Sequence, residues 1–305
     1  MKEIPLGKHT VEVALKLREA MLINGILYNS EVWHGVTHAQ IVKLESVDEA
    51  LLRSILKAHS KTPKEFLYLE TGTIPLRWII AQRRINYMKH ILSRDDSELI
   101  KKVYVAQEIN PTRGDFVKLV QKDLEDIGLT FKEAMDSKMT RNQLKTNVKC
   151  AAFKQLLELQ KGHKKVRHIK YDKLKLQAYL KSPIITQKQR NILTLLRSQC
   201  LRGIKMNFTK MYRNSLYCPL NCNENPIEDS QEHILKCLKL SEGSNLPESD
   251  IFSEEIASQG EIAQVFLKLM KKRETLLEPP DSDTSLPGAS ILDPSSQHQL
   301  GAVVH

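Results

Sequence analysis

Cys218-Pro219-Leu220-Asn221-Cys222 sets two thiols four positions apart; ten residues separate Cys222 from His233, and three more separate His233 from Cys237. Three thiolates and an imidazole form a donor set of the softness that tetrahedral zinc prefers. Four protein ligands leave no position for water or substrate. The chemistry this pattern predicts is therefore structural: zinc held by Cys218, Cys222, His233 and Cys237, with binding energy that is largely folding energy.

The elements that must position these ligands are legible around them. Asp229-Ser230-Gln231-Glu232 reads as the cap of a short helix, on which His233 and Cys237 stand at i and i+4 on one face. Two ligands then come from a turn and two from a helix. Five cysteines, three of them within twenty residues, do not make the framework of a secreted disulfide domain. Cys150 and Cys200 fall at apolar helical positions and read as core residues.

The chain has 305 residues and a formal net charge of +10, and the charge is unevenly spread. Residues 1–140 hold 21 Lys+Arg against 19 Asp+Glu, residues 141–213 hold 19 against two, and residues 214–305 hold six against 15. A segment as basic as 141–213 repels itself unless a polyanion screens it, and each phosphate it neutralises releases a counterion. Nucleic acid, RNA or DNA, is the partner this predicts, with Lys145, Lys149, Lys154, Lys161, Lys164, Lys165, Arg167, Lys170, Lys173, Lys175, Arg197, Arg202, Lys205, Lys210 and Arg213 as contacts. A solvated lysine-rich helical face is the alternative. Phe153, Tyr171, Tyr179, Phe208, Tyr212 and Tyr217 interleave with the cations; most read as core, and the rest would offer stacking faces.

The residues before this segment read as a helical bundle. Ile41, Leu44, Val47, Leu51 and Ile55 recur at helical spacing. Thr62-Pro63-Lys64-Glu65 reads as a capping box, Gly72 as the end of that helix and Pro75 as the start of the next, with Trp78, Ala81, Ile85, Met88 and Leu92 on one face. Two helices are predicted over 96–109 and 115–127. Thr140-Arg141-Asn142-Gln143 and Thr186-Gln187-Lys188-Gln189 are further capping boxes, with stripes Leu144, Val148, Ala152, Leu156 and Ile192, Leu196, Cys200 behind them, the second ending near Gly203. Ile262, Val265, Phe266, Leu269 and Met270 predict a last amphipathic helix ending at Lys271-Lys272-Arg273. From Glu278 on, proline, serine and aspartate without apolar periodicity predict disorder.

Catalytic patterns are absent from the sequence: no Walker loop, Rossmann glycines, nucleophile elbow or H-E-x-x-H. Asp95-Asp96 reads as a turn and cap, and Asp281 with Asp293 lacks the setting of a nuclease pair. His34, His38, His59 and His90 are scattered. No apolar run is long enough for a membrane span and no apolar core follows Met1-Lys2-Glu3-Ile4-Pro5, which predicts a soluble intracellular protein, nuclear or cytoplasmic.

Several of these blocks together resemble a known family. The run Leu22-Ile23-Asn24-Gly25-Ile26-Leu27-Tyr28-Asn29-Ser30-Glu31-Val32-Trp33, then Leu44-Glu45-Ser46-Val47-Asp48, then Leu67-Tyr68-Leu69-Glu70-Thr71-Gly72-Thr73-Ile74-Pro75 and Arg83-Arg84, is similar to the region after the polymerase palm in LINE-type non-LTR retrotransposon reverse transcriptases. Glu232-His233-Ile234-Leu235-Lys236-Cys237 resembles the zinc knuckle near the end of those polyproteins, and the likeness runs on to Asp250-Ile251-Phe252-Ser253. It covers roughly residues 15 to 275.

The chain departs from the family in two ways. Three residues rather than two separate the first cysteines, and no Tyr-x-Asp-Asp motif of the metal-chelating palm occurs, so no catalytic residue is carried over. The resemblance implies a mainly α chain: a thumb-like helical bundle over 1–130, a basic helical linker over 131–213, a Cys3His module over 214–240, an amphipathic helical segment over 241–277 and a disordered tail over 278–305. Its implied function is that of a truncated reverse-transcriptase fragment that binds RNA or DNA, with other retroelement proteins as further partners. The parent activity is RNA-directed DNA polymerase, which this chain is not expected to perform alone. A non-catalytic protein-interaction module, or an inert relic of a retroelement, is the alternative, and exposed apolar surface on residues 1–60 would favour the former.

Overall fold

Four Thr-x-x-Gln/Glu boxes set the helix starts with both reciprocal hydrogen bonds in place. Thr37 with Gln40, Thr130 with Glu133, Thr140 with Gln143 and Thr186 with Gln189 each satisfy two amides that the first turn would leave bare. A computed structural model describes residues 11–33, 35–112, 114–136, 138–200, 217–227, 231–237, 239–240 and 255–277. These residues form helices and no strand.

In order they are α1 (Val11–Leu17), which runs through a π-helical turn (Arg18–Ile23) into α2 (Asn24–Ile26), then α3 (His38–Leu56), α4 (Lys64–Thr71), α5 (Leu76–Leu92), α6 (Leu99–Ile109), α7 (Phe116–Ile127) and α8 (Phe131–Met135). There follow α9 (Arg141–Lys161), α10 (Ala178–Lys181), α11 (Gln187–Arg197), α12 (Gln231–Lys236) and α13 (Ile256–Leu277). The tail after residue 277 and the segment around Gly203 lie outside the described residues, as does the expected cap at Asp229.

Two apolar cores share α9. Leu144, Val148 and Ala152 face one core with Trp78, Ile85 and Met88 of α5 and Val117, Val120 and Leu124 of α7. One turn further along, Leu156 enters the other core with Leu52 and Ile55 of α3, Phe66 and Leu69 of α4, Leu193 and Leu196 of α11, and Ile262 and Phe266 of α13. The basic helix is thus a spine of the fold, cationic only on its outward side.

Local readings fail where a distant partner changes the outcome. On α3 the buried positions are Glu45, Asp48, Leu52, Ile55 and Leu56, while Val47 is exposed. Two acids displace the apolar stripe because Asp48 receives Arg18 Nε and Nη2 at 2.5 and 2.6 Å, and Glu45 receives the Arg77 side chain and its backbone amide. Thr62 caps nothing; α4 begins after Pro63 without a side-chain cap, and the Thr62 hydroxyl points to Cys200 Sγ at 3.5 Å. The last helix does not stop at Arg273 but continues to Leu277.

Candidate metal centre and cationic surface

The two cysteines of the first pair stand on a turn. Asn221 adopts φ +45°, a left-handed conformation asparagine tolerates, and its amide donates to Cys218 carbonyl oxygen at 3.4 Å. Cys218 N donates to Ile227 O at 2.8 Å, closing the loop that follows. His233 lies on α12 and Cys237 just beyond its end, one turn apart as the i, i+4 spacing requires. The donor atoms of Cys218, Cys222, His233 and Cys237 all lie within 4.8 Å of one another, and Cys222 Sγ is 3.4 Å from His233 Nε2.

These distances and donors fit a single tetrahedral ion. Metal–ligand bonds of about 2.0–2.3 Å put neighbouring donors about 3.3–3.8 Å apart, and the donors are the thiol and imidazole groups that soft or borderline cations select. Burial pushes the Cys218 thiol up to about 12, with the neighbouring Cys237 and Cys222 adding to the shift and a Leu220 amide opposing it. Cys218, His233 and Cys237 are buried and Cys222 is half-buried. The centre is part of the main core: Leu220, Ile234 and Leu240 beside the ligands pack in the same cluster as Ile262, Ala263 and Phe266.

Apart from Arg197, the predicted nucleic-acid contacts divide into three groups. Lys145, Lys149, Lys154, Lys164, Arg167, Lys170 and Lys173 are exposed and make no ion pair among the described residues. Lys161 is exposed but meets Glu158 at 2.6 Å, Lys165 is half-buried with Nζ 3.9 Å from Cys200 Sγ, and Lys175 is half-buried beside Gly72. Arg202, Lys205, Lys210 and Arg213 lie outside the described residues. The loop carrying Lys164 to Lys170 is fixed from below by buried Gln160, whose Nε2 donates to Val166 O at 2.6 Å and Ile169 O at 2.9 Å.

Arg197 is a correction. It is 4% exposed, its Nε and Nη2 donate to Glu70 Oε1 at 3.0 and 2.9 Å, and its guanidinium lies over the Tyr179 ring at 5.4 Å. No phosphate reaches it. Tyr171 also donates to Glu70, at 2.7 Å, so Tyr171 and Tyr179 are interior rings, and Phe153 packs at the edge of the same core. Tyr217 is half exposed, while Phe208 and Tyr212 lie outside the described residues. Cys150 is exposed rather than buried, because the core stripe of α9 is Leu144, Val148, Ala152 and Leu156 and position 150 points away from it; Cys200 is buried as expected.

A cleft of about 320 Å³ that no sequence signal announced opens beside α9. It is lined by Lys145 and Lys149 of α9, by Gln82 and Arg83 of α5, by the Gly72-Thr73-Ile74 turn and by residues of the π-helical turn. Only the fold brings positions 82–83 and 145–149 together. No helix among the described residues is long and apolar enough to cross a membrane. No family model, no curated protein and no solved structure matches the chain.

Proposed function

We propose that this chain binds RNA or DNA by its phosphates, as a region of the kind that follows the palm in LINE-type reverse transcriptases, with zinc as the structural ion at Cys218, Cys222, His233 and Cys237. What supports this most is the set of seven exposed cations between Lys145 and Lys173 that have no acidic partner among the described residues and stand on a helix and loop fixed by the core. Unpaired cations on a rigid frame keep their charge for a polyanion and lose little entropy on binding it. The Cys3His centre would hold the helix α12 and its neighbours to that frame.

A titration of the purified chain against structured RNA and nicked duplex DNA across a salt series tests this. Charge reversal at Lys164, Arg167 and Lys170 should weaken binding to every sequence and reduce the slope of log K against log salt by about 0.9 for each duplex phosphate no longer neutralised. Absence of binding at low salt would reject the proposal.

One observation favours a second reading, a non-catalytic protein-interaction module. Val13 and Leu17 of α1 and Met21 of the π-helical turn recur at four-residue spacing and are exposed, as is Tyr28; Met21 and Tyr28 are 74% and 73% exposed. If Leu17→Glu with Met21→Glu abolished capture of another retroelement protein while polyanion binding stayed absent in the wild type, this second reading would replace the first. An inert relic would show neither.

A further inference from the structure

Lys145 and Lys149 line a concave site. They stand one helical turn apart on α9, next to the buried stripe of Leu144 and Val148, so packing fixes the helix face that presents them. Across the cleft, Arg83 is held by the Leu27 carbonyl and by Asn24 Oδ1 at 3.1 Å. Neither partner is charged, so the guanidinium is oriented while its charge stays uncompensated. Arg18, which also lines the cleft, is neutralised by Asp48, and Glu19 is the one acid in the lining. The balance is three uncompensated cations against a single exposed carboxylate.

The remaining lining is not that of a simple anion site. Ile74 and Ile79 add apolar lining, and the half-buried Gln82 carries a side-chain amide with no partner among the described residues. At about 320 Å³ it falls at the small end of the volumes ligand pockets occupy, roughly 300–1,000 Å³. The cations of the lining suit a phosphate, its isoleucines suit the face of a base or sugar, and an amide with both a donor and an acceptor suits a base edge.

We infer that the cleft between α5 and α9 seats one nucleotide unit of a nucleic-acid strand, its phosphate on Arg83, Lys145 and Lys149 and its base against Ile74 and Ile79 within reach of Gln82. This rests on the nucleic-acid reading above and deepens it: the Lys161 to Lys175 loop supplies phosphate contacts alone, and the cleft is where one unit of the strand is seated. The ligand chemistry is a phosphate carried on a base and sugar, and a free nucleotide shares it.

Lysine acetylation of the whole chain, read residue by residue by mass spectrometry, separates these cases, with exposed Lys138 and Lys188 as internal references. With a single-stranded oligonucleotide at ten times its Kd, the free fraction is about one in ten, so acetylation of Lys145 and Lys149 should slow roughly tenfold. The references should keep their rates. Gln82→Ala should weaken the binding at every salt concentration and leave the salt slope unchanged, because it removes no cation. Protection by the oligonucleotide alone assigns a strand track, and protection also by adenosine monophosphate assigns a complete single-nucleotide pocket on that track; both support the inference. Protection by the free nucleotide without protection by the strand overturns it. If the chain binds the oligonucleotide while Lys145 and Lys149 are acetylated at their free rates, the cleft assignment falls and nucleic-acid binding stands. If the chain binds no oligonucleotide, both fall.

Discussion

Glu70 and Arg197, 127 positions apart in sequence, meet in the interior with two guanidinium nitrogens on one carboxylate oxygen, at 3.0 and 2.9 Å. The Tyr171 hydroxyl donates to that same oxygen, and Tyr179 lies under the guanidinium. α4, α11 and the segment between α9 and α10 are thereby tied at one point. Both ion-pair side chains are at most 5% exposed.

Breaking this pair from one side strands a buried charge. Glu70→Ala should cost about 3–5 kcal/mol of stability, because Arg197 would be left desolvated and unpaired. Urea unfolding followed by helix content is the measurement, and a loss under about 1 kcal/mol would show that water reaches the site. Arg197→Met with Glu70→Met should cost less than either single change, since the desolvation penalty leaves with the charges.

The interior pair also shows how far the sequence could be read. Helix starts at Thr140 and Thr186 were legible because a capping box is closed within four residues. So were the stripes of α5 and α9, which need only 3.6-residue periodicity. Arg197, by contrast, reads from its neighbours as one more cation in a basic segment; the carboxylate that claims it lies on α4. Thr62 and α3 failed for the same reason, with Cys200, Arg18 and Arg77 as the distant partners. The Cys3His cluster was legible because the type and spacing of its residues carry the chemistry, whereas the cleft between α5 and α9 is made only by packing.

Gly72 gives a second prediction. It ends α4 at φ +67°, and a Cβ there would sit 2.4 Å from the Lys175 carbonyl carbon and 2.5 Å from Leu176 N. The neighbour is backbone and is itself anchored, since Gln177 N donates to Glu70 O at 3.0 Å. Left-handed strain of about 1–2 kcal/mol adds to the overlap, so Gly72→Ala should lower stability by more than about 2 kcal/mol. In thermal unfolding that is a fall of at least about 4 °C for a domain of this size. An unchanged midpoint would mean that the segment at Lys175 moves aside freely.

Metal removal should reach beyond the ligands. Leu220, Ile234 and Leu240 lie in the same core as Ile262 and Phe266 of α13, and α13 also packs on α11, where Gln189 Nε2 donates to Gly260 O at 3.1 Å. Cys222→Ala or His233→Ala should abolish one bound metal equivalent in native mass spectrometry. Hydrogen exchange should then quicken in α12 and in the first turns of α13, while α5 to α8 keep their protection. Unchanged metal content in either variant would remove that residue from the ligand set, and unchanged exchange in α13 would separate the centre from the core.

Asp123 supplies a pH-dependent prediction away from the metal ligands. Its carboxylate meets Arg84 Nη1 at 2.5 Å, yet burial outweighs that partner and raises the group to about 6. In the unfolded chain the same carboxyl titrates near its ordinary value of about 3.9, so between the two values the folded state holds a proton that the unfolded state has released. Stability from this group is therefore present at low pH and declines as pH rises through about 6. Asp123→Asn cannot titrate, and its urea midpoint should lose that decline between pH 4 and pH 6, giving a flatter profile than the wild type over about that interval. Carboxyl-carbon NMR should place the Asp123 midpoint near 6, well above the ordinary carboxyl value. A midpoint below about 3.9 would mean that Arg84 wins over burial, and this group's contribution would then rise with pH in the interval below about 4 and be flat above it.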